Sequence, residues 1–233
     1  MSDIKGLIFD KDGTLFDFAA TWEAWASSFL MRLGKGDPER AADLGRAIEF
    51  DMATRKFAPT SIVIAGTAGE VAAVLHPLCP ELAIPDLLDI LNEEAENAPQ
   101  QPAVPLMPLL TGLRARGLRL GVATNDAEAP ARAHLGQAGV TQMFDFIAGY
   151  DSGHGGKPAP GQLLAFAAQV DVAPGQIAMI GDSTHDLNAG RAAGMTCIAV
   201  LTGIARQEAL APYADVVLPD IGHLPAWLDG RTV

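Results

Sequence analysis

The chain has 233 residues, of which 49% are hydrophobic and 19% charged, enough for a buried core and a length suited to a catalytic unit with a smaller attached module. Lys and Arg total 16 against 28 Asp and Glu, a formal net charge of −12 with no basic cluster to offset it, which excludes nucleic acid and anionic membrane surfaces as partners. An anionic small substrate then needs a local cation to overrule the net field, a first hint of a bound divalent metal.

The apolar run Leu7-Ile8-Phe9 stops at the polar, Gly-containing segment Asp10-Lys-Asp-Gly-Thr14. This predicts a buried strand followed by a loop. The N-terminal apolar stretch is too short for a secretory signal, and no run of about 18 apolar residues occurs, so the expected location is the cytoplasm. Residues 18–98 are rich in Ala, Leu, Glu and Trp. They predict helices over Thr21–Leu33, Pro38–Ala53, Thr67–His76 and Pro85–Asn97, with a turn region near Phe57–Gly66. Gln100–Pro108, with prolines at 102, 105 and 108, reads as a linker.

Beyond it, helices are predicted over Leu106–Arg116, Glu128–Ala138, Pro160–Val170 and His185–Ala193. Between them lie strand candidates: Leu118–Ala123, ending at Thr124-Asn125-Asp126; Ile177–Ile180, ending at Gly181-Asp182-Ser183-Thr184; Met195–Leu201, ending at Thr202-Gly203; and a weaker Asp215–Leu218. Strands alternating with helices of this length predict an α/β fold, a parallel sheet with helices on both faces. The expected division is a core of residues 1–17 plus 99–233, interrupted after its first strand by a helical module, 18–98. Cys79 and Cys197 stand far apart in apolar surroundings and read as buried free thiols; no Cys/His spacing suggests zinc.

Ligands of open parallel sheets bind outside the carboxyl ends of the strands. The polar residues just after each apolar run should therefore converge: Asp10, Asp12 and Thr14, then Thr124 and Asn125, then Asp182 and Asp186, with Lys157 facing them. Asp10 and Asp12 are two apart on extended chain and point the same way, with Lys11 pointing opposite. Side-by-side carboxylates repel unless a cation holds them. With Asp182 they make an oxygen-rich site suited to Mg²⁺. A metal lets Asp10 stay ionised as a nucleophile, while Asp12 gives a proton to the leaving alkoxide and later takes one from water. Gly13 allows close approach of the backbone to a phosphate.

Several of these residues also have simpler explanations. Asp-x-Asp-Gly is an ordinary acidic turn, Thr124, Asn125 or Asp126 serves as a helix cap, and Ser183-x-x-Asp186 fits a capping box. Pro158 sits where a first helical residue belongs, which places Lys157 at a helix N-terminus. A cation there opposes the helix dipole unless an anion lies between. Arg55 and Lys56 are candidates for meeting a substrate carboxylate, although adjacent basic residues are often simply solvated, and His154 beside Lys157 has the same standing.

In this order the motifs resemble those of the haloacid dehalogenase superfamily of phosphatases, in particular its phosphoglycolate phosphatase-like branch. Asp10-Lys-Asp-Gly-Thr-Leu15 is similar to its first motif, Thr124 to its second, Lys157 in Gly156-Lys-Pro-Ala-Pro160 to its third, and Gly181-Asp182-Ser-Thr-His-Asp186 to its fourth. The resemblance implies a doubly wound, Rossmann-like sheet with the helical insert as a first-type cap that closes over the site. It implies catalytic roles for Asp10, Asp12, Thr124 and Lys157. It also implies Mg²⁺ held by Asp10, Asp12 and Asp182 with Asp186 behind them, and substrate contacts from Gly13, Asn125, Arg55 and Lys56. The expected substrate is a small phosphorylated metabolite, with phosphoglycolate a candidate, and the expected assembly a monomer or homodimer. Asp12 argues against the dehalogenase branch, which lacks a second aspartate there. Two alternatives stand: a sugar phosphomutase of the beta-phosphoglucomutase type, and a non-catalytic phosphate-sensing protein.

Overall fold

Residues 3–230 are described by the computed structural model. Strand β1 (Gly6–Phe9) is buried throughout, and its side chains alternate between two apolar clusters, Leu7 and Phe9 in one and Ile8 in the other. This is the period-two consequence of extended chain buried on both faces.

The chain then leaves the sheet for α1 (Phe18–Leu33), α2 (Pro38–Ala47), a hairpin of β2 (Phe50–Asp51) and β3 (Lys56–Phe57), α3 (Ala68–Leu75) and α4 (Ile84–Glu96). It returns through α5 (Leu106–Ala115), β4 (Arg119–Ala123), α6 (Glu128–Gln137), β5 (Phe146–Ala148), α7 (Gly161–Val170), β6 (Ile177–Gly181) and α8 (Thr184–Ala193). It ends with β7 (Thr196–Val200), α9 (Gln207–Leu210), β8 (Val216–Leu218) and α10 (Leu224–Asp229).

Six strands form a parallel sheet in the order β5-β4-β1-β6-β7-β8, so the fold is the expected doubly wound α/β type. On one face Leu110 of α5, Leu135 of α6 and Leu224 of α10 pack with Leu7, Val122 and Ile180. On the other, Phe166 of α7 and Ala189 of α8 pack with Ile8 and Met179. Gly121 lies inside β4 because Phe166 takes the space of its side chain: a Cβ there would stand 2.7 Å from the ring.

A third cluster draws its buried members only from Phe18 to Ala98, with Trp25 stacked on Phe29 at 5.1 Å. The chain enters and leaves this segment side by side, since Asp17 N donates to Gln101 O (2.8 Å) and Ala103 N donates to Leu15 O (2.9 Å).

Beyond the short helices α9 and α10, which the reading of the sequence does not include, two elements differ from it. Helix α2 ends at Ala47 rather than Ala53, because Glu49 turns into the left-handed region (φ 56°) and Phe50 pairs with Phe57, their rings 4.7 Å apart. The insert is thus helical apart from one short hairpin. Strand β5, only three residues long and paired on one side, carries too short a pattern to be recognised. Cys79 and Cys197 are free and buried. Among the described residues no helix is long and apolar enough to cross a membrane.

Candidate active site

Strand β1 pairs with both β4 and β6, Phe9 lying level with Val122 and with Ile180. The residues that follow these strands at their carboxyl ends are therefore carried to one place by the ladder itself. Asp10 N donates to Ile180 O at 2.8 Å, and Thr124 N donates to Ala148 O at 3.0 Å. The order of strands reverses direction at β1, where open α/β sheets bind ligands.

Three carboxylates meet here. Asp10, Asp182 and Asp186 are all buried, and each offers an oxygen within 4.8 Å of the others. Lys157 Nζ donates to Asp10 Oδ1 and to Asp186 Oδ1, both at 2.6 Å. Asp186 also completes a capping box at the start of α8, its Oδ2 accepting from Ser183 N at 3.0 Å. Capping and site duty fall on its two different oxygens. Asp182 has weaker support, a 3.3 Å hydrogen bond from Thr14 Oγ1. Glycines make room for it: a side chain on Gly13 (φ 80°) or on Gly203 would overlap its carboxylate.

The three acids and one ammonium sum to −3 + 1 = −2. Burial pushes the Asp10 carboxyl up to about 7, against the pull of Lys157 and helped by the charges of Asp186 and Asp12. Asp182 is likewise raised well above the ordinary range by burial and by the charges of Asp10 and Asp186. Burial works against the charge on Lys157, yet Asp10 and Asp186 together hold its ammonium above the usual lysine value. A buried set of hard oxygen donors with a charge deficit of two, and no nitrogen or sulfur ligand among them, fits a divalent cation such as Mg²⁺.

Lys157 stands four residues before α7, whose first residue is Gly161, and so is not at a helix N-terminus. Asn125 fixes it instead: Oδ1 accepts from Lys157 N (2.8 Å) and Nδ2 donates to Lys157 O (2.9 Å). The other Nδ2 hydrogen bond goes to Ala65 O of the insert (2.8 Å). Asn125, expected to meet substrate, is thus occupied in joining three segments. Thr124 lies just above, buried, its hydroxyl accepting from Asp126 N at 3.1 Å.

Asp12, expected among the metal ligands, turns to a different partner. Lys11 Nζ lies 2.8 Å from both of its carboxylate oxygens. Extended geometry sends Lys11 away from Asp10, but its long side chain curls back wholly buried, 2.8 Å from His134 Nδ1, 3.1 Å from Asp126 Oδ2 and 5.4 Å from the centre of the Trp22 ring. His134 Nε2 in turn meets Ala95 O of the insert at 2.6 Å.

Burial opposes the Lys11 charge, but Asp12 and Asp126 hold its ammonium above the normal value. Burial also raises Asp126 to about 6 despite Lys11, and burial with the lysine charge lowers His134 to about 4. The sequence reading gives Lys11 only a direction, away from Asp10, and Asp126 only a capping role, and it does not single out His134. Their one visible signal is a lysine inside an acidic motif that has to be neutralised once buried.

A cavity of about 680 Å³, counting the part open to solvent, lies over these groups and reaches the insert. Asp10, Asp12, Thr124, Asn125, Lys157, Asp182 and Asp186 line it; Arg55 and Lys56 do not. Lys56 Nζ is paired with Glu23 at 2.8 Å, and Arg55 is an exposed residue with φ 55° in the hairpin turn. His154 lies against Phe146, ring centres 6.1 Å apart, also outside the cavity.

The sequence model of haloacid dehalogenase-like hydrolases matches residues 4–194. The chain belongs to this family. Within these hydrolases, the phosphoglycolate phosphatase of Escherichia coli strain K12 is 32% identical over 231 residues, covering 94% of this chain and 88% of that protein. The phosphoglycolate phosphatase of Rhodospirillum rubrum is 36% identical over 119 residues, and that match spans about half of each, 51% of this chain and 49% of that protein. Among solved structures, CbbY from Rhodobacter sphaeroides in complex with phosphate superposes with a TM-score of 0.69 at 22% identity, covering 97% of this chain and 99% of that one. The phosphatase of the same family from Thermococcus onnurineus gives 0.68 at 21%, with the same coverage. At these identities the structures establish the shared fold.

Proposed function

We propose that this hydrolase is a Mg²⁺-dependent phosphomonoesterase that cleaves a small phosphorylated metabolite through a phospho-aspartyl intermediate. Residues 1–17 and 99–233 act as its catalytic core and 18–98 as its cap. The observation that carries this reading is the charge deficit of two among Asp10, Asp182, Asp186 and Lys157, which line one cleft between the sheet and the insert. Asp10, Asp182 and Asp186 would hold the ion. Once bound, it supplies a Lewis acid that withdraws charge from phosphoryl oxygens.

The protein's own groups carry the remaining steps. Lys157 holds Oδ1 of Asp10 and so orients the carboxylate that attacks phosphorus. As the bond from Asp10 to phosphorus forms, the bond from phosphorus to the ester oxygen breaks, and Asp12 gives its proton to the departing alkoxide. Water then attacks the phospho-aspartate while Asp12 takes a proton from it. The phosphorus–Asp10 bond breaks, releasing phosphate and restoring both carboxyl groups. Lys11 orients Asp12 from the buried side, and Thr124 with the Lys157 ammonium faces the phosphoryl oxygens.

The relatives' names put 2-phosphoglycolate first among substrates to try. Phosphate release from p-nitrophenyl phosphate tests the reading: it should require Mg²⁺, stop with chelator and vanish in Asp10→Asn. Turnover by that variant equal to the parent would overturn it. Free phosphate as product, rather than an isomerised sugar phosphate, separates hydrolysis from the mutase alternative.

A further inference from the structure

The two ends of the cavity differ in kind. Every charged side chain that lines it comes from outside residues 18–98, and among the described residues Lys157 is its single ammonium or guanidinium. That ammonium is already committed to Asp10 and Asp186. The opposite wall, where the ester's leaving group must lie, is built by Phe18, Trp22, Trp25, Val71 and Leu91, with Asn92 the one amide that the insert contributes. Arg55 and Lys56, the basic pair of the insert, lie elsewhere.

Besides Asn92, two indole N–H groups stand on this wall. The Trp25 Nε1–H is used up, donating to Leu91 O at 3.2 Å. The Trp22 Nε1–H has no acceptor among the described residues, although the side chain lines the cavity and the residue is only 8% exposed. A buried donor without a partner is costly unless a ligand supplies the acceptor.

We infer that the substrate is a phosphomonoester whose leaving group is uncharged, with an apolar body packed on the tryptophan wall and a neutral oxygen acceptor met by Trp22 or Asn92. This rests on the phosphatase reading above and narrows it. A carboxylate on the leaving group would be desolvated against apolar side chains with five aspartates behind it and, apart from the half-buried imidazole of His185 on the core side, no free basic group to meet it, so 2-phosphoglycolate is disfavoured relative to neutral esters.

The test compares benzyl phosphate, 4-carbamoylbenzyl phosphate and 4-carboxybenzyl phosphate at saturating Mg²⁺, esters whose leaving alcohols have nearly the same basicity. The carbamoyl and unsubstituted esters should exceed the carboxylate in kcat/KM by about 100-fold, the penalty for burying an unpaired charge. Trp22→Phe, which keeps a ring and removes the N–H, should bring the ratio of kcat/KM for the carbamoyl ester to that for benzyl phosphate, both measured on the variant, down to about 1; a carbamoyl ester still favoured by the variant as it is by the parent counts against Trp22 as the donor.

Introducing a cation with Leu91→Lys should narrow or reverse the discrimination against the carboxylate. With p-nitrophenyl phosphate hydrolysed by the parent and not by Asp10→Asn, equal or faster turnover of the carboxylate overturns this inference alone. Refusal of all three benzyl esters overturns it as well. No hydrolysis of p-nitrophenyl phosphate would overturn the phosphatase reading and this inference with it.

Discussion

Replacing Lys11 by methionine keeps the length of a wholly buried side chain and removes its charge. In the parent the ammonium stands between Asp12, at 2.8 Å, and Asp126, at 3.1 Å, the first largely and the second almost wholly buried. Deleting one partner of a buried pair costs about 3–5 kcal/mol, because the remaining charge has lost its counterion. Unfolding entropy of about 2.1 cal/mol/K per residue over 233 residues is about 0.5 kcal/mol/K, so each kcal/mol shifts the melting temperature by about 2 °C. Lys11→Met should therefore melt about 6–10 °C below the parent at pH 8.

The deficit has a definite pH dependence. Asp126, raised to about 6 even beside Lys11, rises further without it, so the folded variant takes up a proton that the unfolded chain does not hold. A raised carboxyl loses stability as pH rises through its folded value, so the deficit should shrink at pH 5.5. Asp126→Asn in the same background should recover most of the loss, since an amide oxygen can still accept from Ala127 N. Thermal melts of the two single variants and the double variant at both pH values form the cycle. A Lys11→Met protein melting within 2 °C of the parent at pH 8, or a loss that Asp126→Asn leaves untouched, would refute the account.

Other expectations concern the reaction centre. Asp12→Asn should lower kcat by about 10²-fold or more, read by phosphate release, and near-normal turnover would remove Asp12 from its acid–base role. Metal-stripped protein should lose stability as pH rises from about 4 through about 7, because the folded state holds a proton on Asp10 that the unfolded state has released; Mg²⁺ should restore the loss at pH 8, and melts with and without chelator decide it. Gly203→Ala would drive a methyl group into Asp182, so the Mg²⁺ concentration for half-maximal activity should rise at least about tenfold, and an unchanged magnesium titration would contradict the placement of that carboxylate.

Much of this arrangement is legible in the chain because strand ends announce themselves. Apolar runs that stop at or just before Asp10, Thr124 and Asp182 reveal the carboxyl ends of three strands, and parallel pairing does the rest. What the one-dimensional reading misses depends on where long side chains travel. Alternation along extended backbone assigns Lys11 to the far side, yet four methylenes let its head return to Asp12. Pro158 suggests a helix start, whereas the chain needs three more residues before α7, and it is Asn125 that holds the loop. His134 looks like an ordinary helix residue until α4 is seen to present Ala95 O beside it.

The two hydrogen bonds that tie Asp17 to Gln101 and Ala103 to Leu15 have a consequence for descent as well as for shape. A segment that departs and comes home through one doorway can be lengthened, trimmed or exchanged without rethreading any strand. Selection can then remodel the chamber's roof while leaving its floor intact, and an engineer can do the same by grafting at those two thresholds.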